Sequence, residues 1–442
     1  MAYLHPMSCE CLKSELDLFS MLPTQTGIIG GQWVEYQPLS SLSTSGPIEF
    51  SISGSGDDYV DVSQSWLYVA AKVTKADDTN LDATASIAPV NNWLHSLFSH
   101  IDLSLNDTLV TTSNNTYPYR AYIENLFTFG SDAKQSQLTS EMFYSDTVGK
   151  FDGTPSQAND GQNKGQDARC KYTAASRPVE TIGRLHLDVF HQPKLLLNGV
   201  DMKIRLSRSK NSFNLQYDPA AGDFITQISQ ASLYVRKVKV NPKIQMAHIK
   251  ALEKGRAKYP LRRIETKTFS VPAGNLQATQ PYLFLGQRPK RLVIGLVDND
   301  AFNGNAAKSP FNFKHYNMNY MAVYVDGTQV PTKPYNPDFD SNGRCMRSFL
   351  SLFHATGKLG LDAGNGIRRS DYVGNEYALH VLDLRPDLSD GNHLELREEG
   401  TVGLEIHFAT ALPNTINVVV YSEFENLIEV DRNRRVIFDY AN

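Results

Sequence analysis

The stretch NWLHSLFSHIDLSLNDTLV, Asn92–Val110, decides how the rest of the chain is read, because its pattern occurs twice. Displaced by 220 residues it lies without a gap on NFKHYNMNYMAVYVDGTQV, Asn312–Val330. Trp93 meets Phe313 and His95 meets His315. Ile101, Leu103 and Leu105 meet Met321, Val323 and Val325, and Asn106-Asp107-Thr108 meets Asp326-Gly327-Thr328. Each copy reads as an alternating strand that enters a tight hairpin and returns. Asn-Asp and Asp-Gly suit two-residue turns that require positive φ. An amphipathic helix is expected after each hairpin. Its apolar face is Tyr119, Tyr122, Ile123, Leu126 and Phe127 in the first copy, and Met346, Phe349, Leu350 and Phe353 in the second.

Working outward, the same order of strands recurs in both halves. Gln32–Leu39, Pro47–Ile52 and Tyr59–Val73 precede the first motif; Ile264–Val271, Tyr282–Leu285 and Arg291–Val297 precede the second. LHLDVF (Leu185–Phe190) is answered by YALHVLDL (Tyr377–Leu384), VDMKIRL (Val200–Leu206) by VGLEIHF (Val402–Phe408), and Phe224–Val240 by Ile416–Tyr421. Met142–Tyr144 reads as a further short strand. Short strands at close intervals with one inserted helix per half predict an all-β chain with minor helices, built as two tandem eight-stranded jelly rolls. The expected division is an N-terminal arm over 1–30, a first jelly roll over 31–240, a basic linker over 241–262, a second jelly roll over 263–423 and a tail over 424–442.

The 442 residues carry a formal charge of -4, which excludes a globally basic nucleic-acid binder but not a local patch. No apolar run approaches the ~20 residues of a membrane-spanning helix, and the N-terminal stretch lacks the apolar core of a signal peptide. The four cysteines, Cys9, Cys11, Cys170 and Cys345, have no second pair at ligand spacing and read as free thiols. HExxH, GxSxG, GxxxxGK(S/T) and CxxC are all absent, and no HxH pair supplies the two imidazoles of a metal-binding cupin. His186 with Asp188, and Glu405 with His407, have that spacing but no evident third ligand, and read as exposed strand residues. His95 and His315 read as structural histidines under their hairpins. Ser53-Gly54-Ser55-Gly56 reads as a hairpin. No catalytic residue, cofactor, metal or small-molecule substrate is expected, and the chain is not expected to be an enzyme.

Three segments invite a role in contacts. Ser14 can cap a short arm helix with Leu12, Leu16 and Phe19 on one face, ahead of a flexible joint at Thr26–Gly31. The helix is expected to pack on its own domain, with a neighbouring subunit or a membrane surface as the alternatives. Gly149–Arg177 is long and polar enough to project. Arg236–Lys267 carries eleven Lys and Arg against Glu253 and Glu265, and part of it, Gln245–Glu253, can be helical. It could meet packaged nucleic acid, lipid headgroups or acidic neighbouring subunits.

GQWVEYQPLS (Gly31–Ser40), PIEFSISGSGDDYVDVSQSWLYVAAKV (Pro47–Val73), WLHSLFSHIDLSLND (Trp93–Asp107), NTYPYRAYIENLF (Asn115–Phe127) and VVVYSEFENLIEVDRNRRVI (Val418–Ile437) carry a resemblance. With them the chain resembles the double jelly-roll major capsid proteins of the adenovirus hexon lineage. Its look is nearest to those of Polinton (Maverick) elements and of adintovirus- and adomavirus-type animal viruses. The resemblance implies a homotrimer of pseudo-hexagonal outline that tiles an icosahedral shell. The implied partners are neighbouring trimers and penton and cement proteins, with the basic linker touching packaged DNA or an internal membrane. It implies a place in the virion, after synthesis inside the host cell and without secretion. Arm, linker and tail would lie near the base, and Gly149–Arg177 would form a projection. A penton-like minor capsid protein, a lectin-like binder and a bicupin-like enzyme are the alternatives.

Overall fold

The structure, a computed structural model, describes residues 5–438 apart from 44, 112–113, 159, 340–342 and 389–392. The first unit threads β1 (Ile28–Tyr36), β2 (Ile48–Ile52), β3 (Asp58–Lys75), β4 (Ile87–Pro89), β5 (Phe98–Leu105), β6 (Thr108–Leu109), β7 (Val179–Gly183), β8 (Met202–Arg208), β9 (Leu215–Tyr217) and β10 (Phe224–Val240). The second threads β11 (Ala257–Val271), β12 (Gln277–Gln287), β13 (Arg291–Asp298), β14 (Met318–Val325), β15 (Thr328–Tyr335), β16 (Leu379–Asp383), β17 (Glu399–Phe408), β18 (Ile416–Val430) and β19 (Val436–Phe438). In the first unit the sheets run β1-β10-β3-β7 and β2-β8-β5-β6; in the second they run β11-β18-β13-β16 and β12-β17-β14-β15. The two orders are the same strand for strand, so the architecture is duplicated. The β4–β9 pair and β19, which pairs antiparallel with the end of β18, are additions to that plan.

Alternation sets which face is buried. In β8, Met202, Ile204 and Leu206 enter the core while Lys203 and Arg205 face out, and in β2 Ile48, Phe50 and Ile52 do the same. Each such burial contributes roughly 1.5–3 kcal/mol. β14 occupies the positions of β5 displaced by 220 residues. Both hairpins turn through two residues of positive φ: Asn106 at 45° and Asp107 at 63°, then Asp326 at 49° and Gly327 at 77°.

The helix Tyr117–Thr128, begun with Pro118 in its first turn, is the wedge between the units. Tyr122 stacks flat on Phe311 of the second unit, with ring centroids 4.2 Å apart and planes 2° from parallel, and Tyr119 packs on Phe302, Phe311 and Phe313. A second join lies at the other side of the molecule. There Tyr259, Leu261, Ile428 and Val430, from the ends of β11 and β18, are buried in the core of the first unit.

Several elements depart from their sequence reading. The strand β1 begins at Ile28, so the expected joint at Thr26–Gly31 is partly sheet. Met142–Tyr144 is not a strand: Met142 ends a 3-10 turn, Gln137–Glu141, in the left-handed region. Gly149–Arg177 is no loose loop. It contains the helix Lys164–Tyr172, capped by the Asn163 side chain, and buries Arg169 in an ion pair with Asp146 at 2.8 Å. LHLDVF is not a strand either; β7 lies just before it, and Asp188–His191 is a 3-10 turn. In the helix Met346–His354 the fully buried residues are Ser348, Ser351 and Leu352, and Leu350 faces solvent.

The linker over 241–262 is a helix, Pro242–Lys254, followed by the first residues of β11. The tail over 424–442 begins inside β18, which continues to Val430. Ser53–Gly56 joins strands of different sheets and is a corner, not a hairpin. A Cβ on Gly54 would sit 2.3 Å from the Val200 carbonyl oxygen, so only glycine fits there. The last four residues of the tail and the first four of the arm lie outside the described residues.

Candidate assembly surfaces

The arm makes a 3-10 turn at Ser14–Leu16 with Lys13, not Ser14, as its N-cap, and no side chain caps it. Residues 5–26 are exposed throughout. Leu16, Leu18, Phe19, Met21 and Leu22 stand in solvent, Phe19 at 96% exposure. The arm therefore does not pack on its own unit. It enters β1 at the rim of a cavity of about 530 Å³ lined by Gly27, Ile28, Leu195, Leu197, Ile244 and Leu252 among others. Tyr59 and His248 meet across the cavity wall, hydroxyl to Nδ1 at 2.9 Å. Ile244, His248 and Leu252 sit at helical spacing, a pattern legible in the sequence that would have placed this face of the helix against the seam.

The basic joint divides into two kinds of charge. On and beside the strands the arginines are engaged, while Lys239 and Lys258 are exposed. Arg236 lies 3.3 Å from Asp61 and over the ring of Trp33, and Arg256 lies 2.7 Å from Glu429. Arg263 is buried beside Glu265 and over Phe424, and Arg262 lies 4.0 Å from Glu423. On the helix, Lys243, Lys250 and Lys254 are exposed and point to solvent-side positions. Exposed positive charge thus lies on the helix beside the arm and on the flanking Lys239 and Lys258, and Arg263 belongs to the fold.

The histidine pairs resolve differently. Glu405 and His407 lie on β17, 2.9 Å apart and half-exposed, with the Tyr324 hydroxyl donating to Glu405 at 2.8 Å. His186 and Asp188 are buried, not exposed strand residues. Asp188 accepts from the Ile264 amide and pairs with Arg120 at 2.7 Å; burial raises its carboxyl pKa even so. His186 lies between Glu124 and the His95 ring, whose centroid is 4.6 Å away. His95 meets the Tyr117 hydroxyl through Nδ1 at 2.9 Å, and Glu141 through Nε2 at 3.3 Å. Burial pushes the His95 pKa down, with Glu141 opposing. Burial raises the Glu124 carboxyl, but Arg120 and His186 outweigh it and hold it low. His315 instead stacks on Phe339 at 4.2 Å, and its Nδ1 accepts from the Asn317 amide. No sequence signal gathers His95, Glu124, Glu141 and His186, which are scattered over four segments.

Asn106-Asp107-Thr108 and Asn114-Asn115-Thr116 have the pattern of glycosylation acceptors, but both leading asparagines are hydrogen-bonded to the backbone. The Asn106 amide donates to the carbonyls of Gly199 and Arg434, and the Asn114 amide to that of Thr266. All four cysteines are free, Cys9 and Cys11 in the exposed arm.

No protein-family model matches the chain. An uncharacterized protein of Caenorhabditis elegans is 25% identical over 428 residues, covering 94% of this chain and 99% of that one. Among solved structures, a chain of the Sputnik virophage superposes with a TM-score of 0.70 at 12% identity, over 98% of this chain and 93% of that one. PBCV-1 VP54 superposes at 0.61 and 9% identity, over 96% and 100%. The mavirus major capsid protein superposes at 0.52 and 11% identity, over 100% and 96%. The duplicated strand order and these whole-length superpositions identify the fold of this chain as the double jelly roll, shared with chains of Sputnik, PBCV-1 and mavirus.

Proposed function

We propose that the chain is the major capsid protein of an icosahedral virus or virus-like element, with a structural role and no catalytic one. The observation that carries this reading is the identical sheet order of the two units. A threefold assembly gains a hexagonal outline when each chain offers two similar upright bodies, and a hexagonal outline tiles a closed shell. Chains of similar fold in the Sputnik, PBCV-1 and mavirus structures support it. The exposed apolar arm and the lysine-bearing helix beside it are surfaces for neighbours: adjoining trimers, penton and cement proteins, and packaged DNA or an internal membrane.

Mass in solution tests the reading. The purified chain, 49.4 kDa, should run at three times that mass. A stable monomer would overturn the reading, and a pentamer would favour a penton-like minor capsid protein. In the same preparation, Lys243, Lys250 and Lys254 replaced by Glu should leave the trimer intact and lower particle yield or DNA retention. Unaltered particles would remove that helix from the contacts.

A further inference from the structure

We propose that His95, Glu141 and His186 form a buried site for one divalent transition-metal ion, zinc by its donor set. One ligand atom from each lies within 4.8 Å of the other two, and all three residues are buried. They come from segments that no strand ladder joins: the turn Trp93–Ser96, the end of the 3-10 turn Gln137–Glu141, and the link after β7.

The outer nitrogens of both rings are already engaged. Nδ1 of His186 is bonded to Glu124, and Nδ1 of His95 to the Tyr117 hydroxyl. At His186 the carboxylate takes the Nδ1–H, which fixes the tautomer and leaves the Nε2 lone pair free, the arrangement in which imidazoles bind metals. At His95 the Tyr117 hydroxyl, which accepts from the His186 amide, occupies Nδ1 and leaves Nε2 as the inward nitrogen. Nε2 of His95 is buried and has no hydrogen-bond partner. It faces the Glu141 carboxylate outside hydrogen-bond geometry, and an ion bound by both groups would engage it. Glu141 Oε2 lies 3.3 Å from that nitrogen. Two ligands bound at ~2.0–2.1 Å on a tetrahedral ion stand about 3.3–3.4 Å apart, so this spacing fits a coordination edge. The Asn125 amide donates to the same carboxylate at 3.0 Å and holds it in place.

Two imidazoles and one carboxylate suit zinc, with water as the fourth ligand. The ion would fasten three segments about the first unit's hairpin. At the equivalent position of the second unit His315 stacks on Phe339 instead. This departs from the sequence expectation of no metal, and it stands apart from the capsid reading.

The test uses the full chain with Cys9→Ser and Cys11→Ser, so that the exposed thiols of the arm take no zinc. Protein stripped with EDTA and dialysed against micromolar zinc should retain one zinc per chain by elemental analysis. Its cobalt(II) form should show visible bands of tetrahedral intensity, and zinc should raise its Tm by several degrees. Glu141→Gln and His186→Asn should lose the zinc. Glu124→Gln, which weakens the partner of the His186 Nδ1–H without removing a ligand, should weaken binding by about 10–100-fold. His315→Gln should retain it. Less than a tenth of an equivalent in the parent chain, or equal zinc in Glu141→Gln and the parent, overturns the site. If Glu141→Gln does not fold, the zinc content and cobalt spectrum of the parent chain decide.

Discussion

The two hairpin-and-helix motifs share a backbone and differ in what surrounds them. In the first, Trp93 is buried in the core of its own unit; in the second, Phe313 is buried in the core that both units share. The first helix buries nine residues and wedges the units apart, whereas the second buries three and leaves Leu350 in water. The first histidine sits among carboxylates, and the second lies on an aromatic ring. Duplication preserved the strand plan, which the pairing of sheets enforces. Side chains outside the sheets were free to take separate tasks once two units stood side by side.

The largest effects should come from the matched aromatics. Trp93→Ala and Phe313→Ala each remove a side chain with no exposure and should each cost ~3–5 kcal/mol in denaturant unfolding. Only Phe313→Ala should also raise hydrogen exchange across the seam in the helix Tyr117–Thr128. Equal exchange in the two variants would erase the distinction between the first unit's core and the core at the seam.

Next comes Lys134, which ties the first helix to the second unit by donating to the carbonyls of Leu126 at 2.8 Å and Asn365 at 2.5 Å. Burial, helped by Lys358, pushes its pKa from 10.5 down to about 7. Between those values the unfolded chain holds a proton that the folded chain has released. Stability should therefore rise with pH across that window, and the cost of burying the ammonium is complete only below it. Lys134→Met should flatten that rise; an unaltered slope would mean that the stitch carries no charge cost.

The smallest effects lie at the turns. Gly327→Ala places a Cβ at φ 77° with open space around it, so the cost is backbone alone, about 1–2 kcal/mol. Asp107→Gly, at φ 63°, should be neutral or stabilising by up to ~1 kcal/mol. Thermal melts of the two variants that move in the same direction would show that the turns are not equivalent.

The sequence made the sheets legible and the crossings obscure. β5 and β14 could be matched because alternation and turn chemistry are local. β7 was overlooked because VETIG buries only Val179, Thr181 and Gly183, while the neighbouring LHLDVF is more apolar. That segment is buried on all sides because it passes between the units, and a crossing link buried all round has the composition of a strand. β18 was cut short for the opposite reason. Its second half alternates Phe424, Asn426, Ile428 and Val430 inward with Glu423, Glu425 and Glu429 outward, and the acidic residues made it look like a tail. The histidine cluster was invisible because its members meet only in three dimensions.

The ribbon of β11 and β18, paired from Ala257–Val430 to Val271–Ile416, ends inside the partner unit. A gene cut at the helix between the halves would release two fragments, one with a hole and the other with a greasy prong. Neither could return to the solitary life of an undoubled ancestor. Co-expressed, the two pieces should find each other, and the break would survive as a nick in one object.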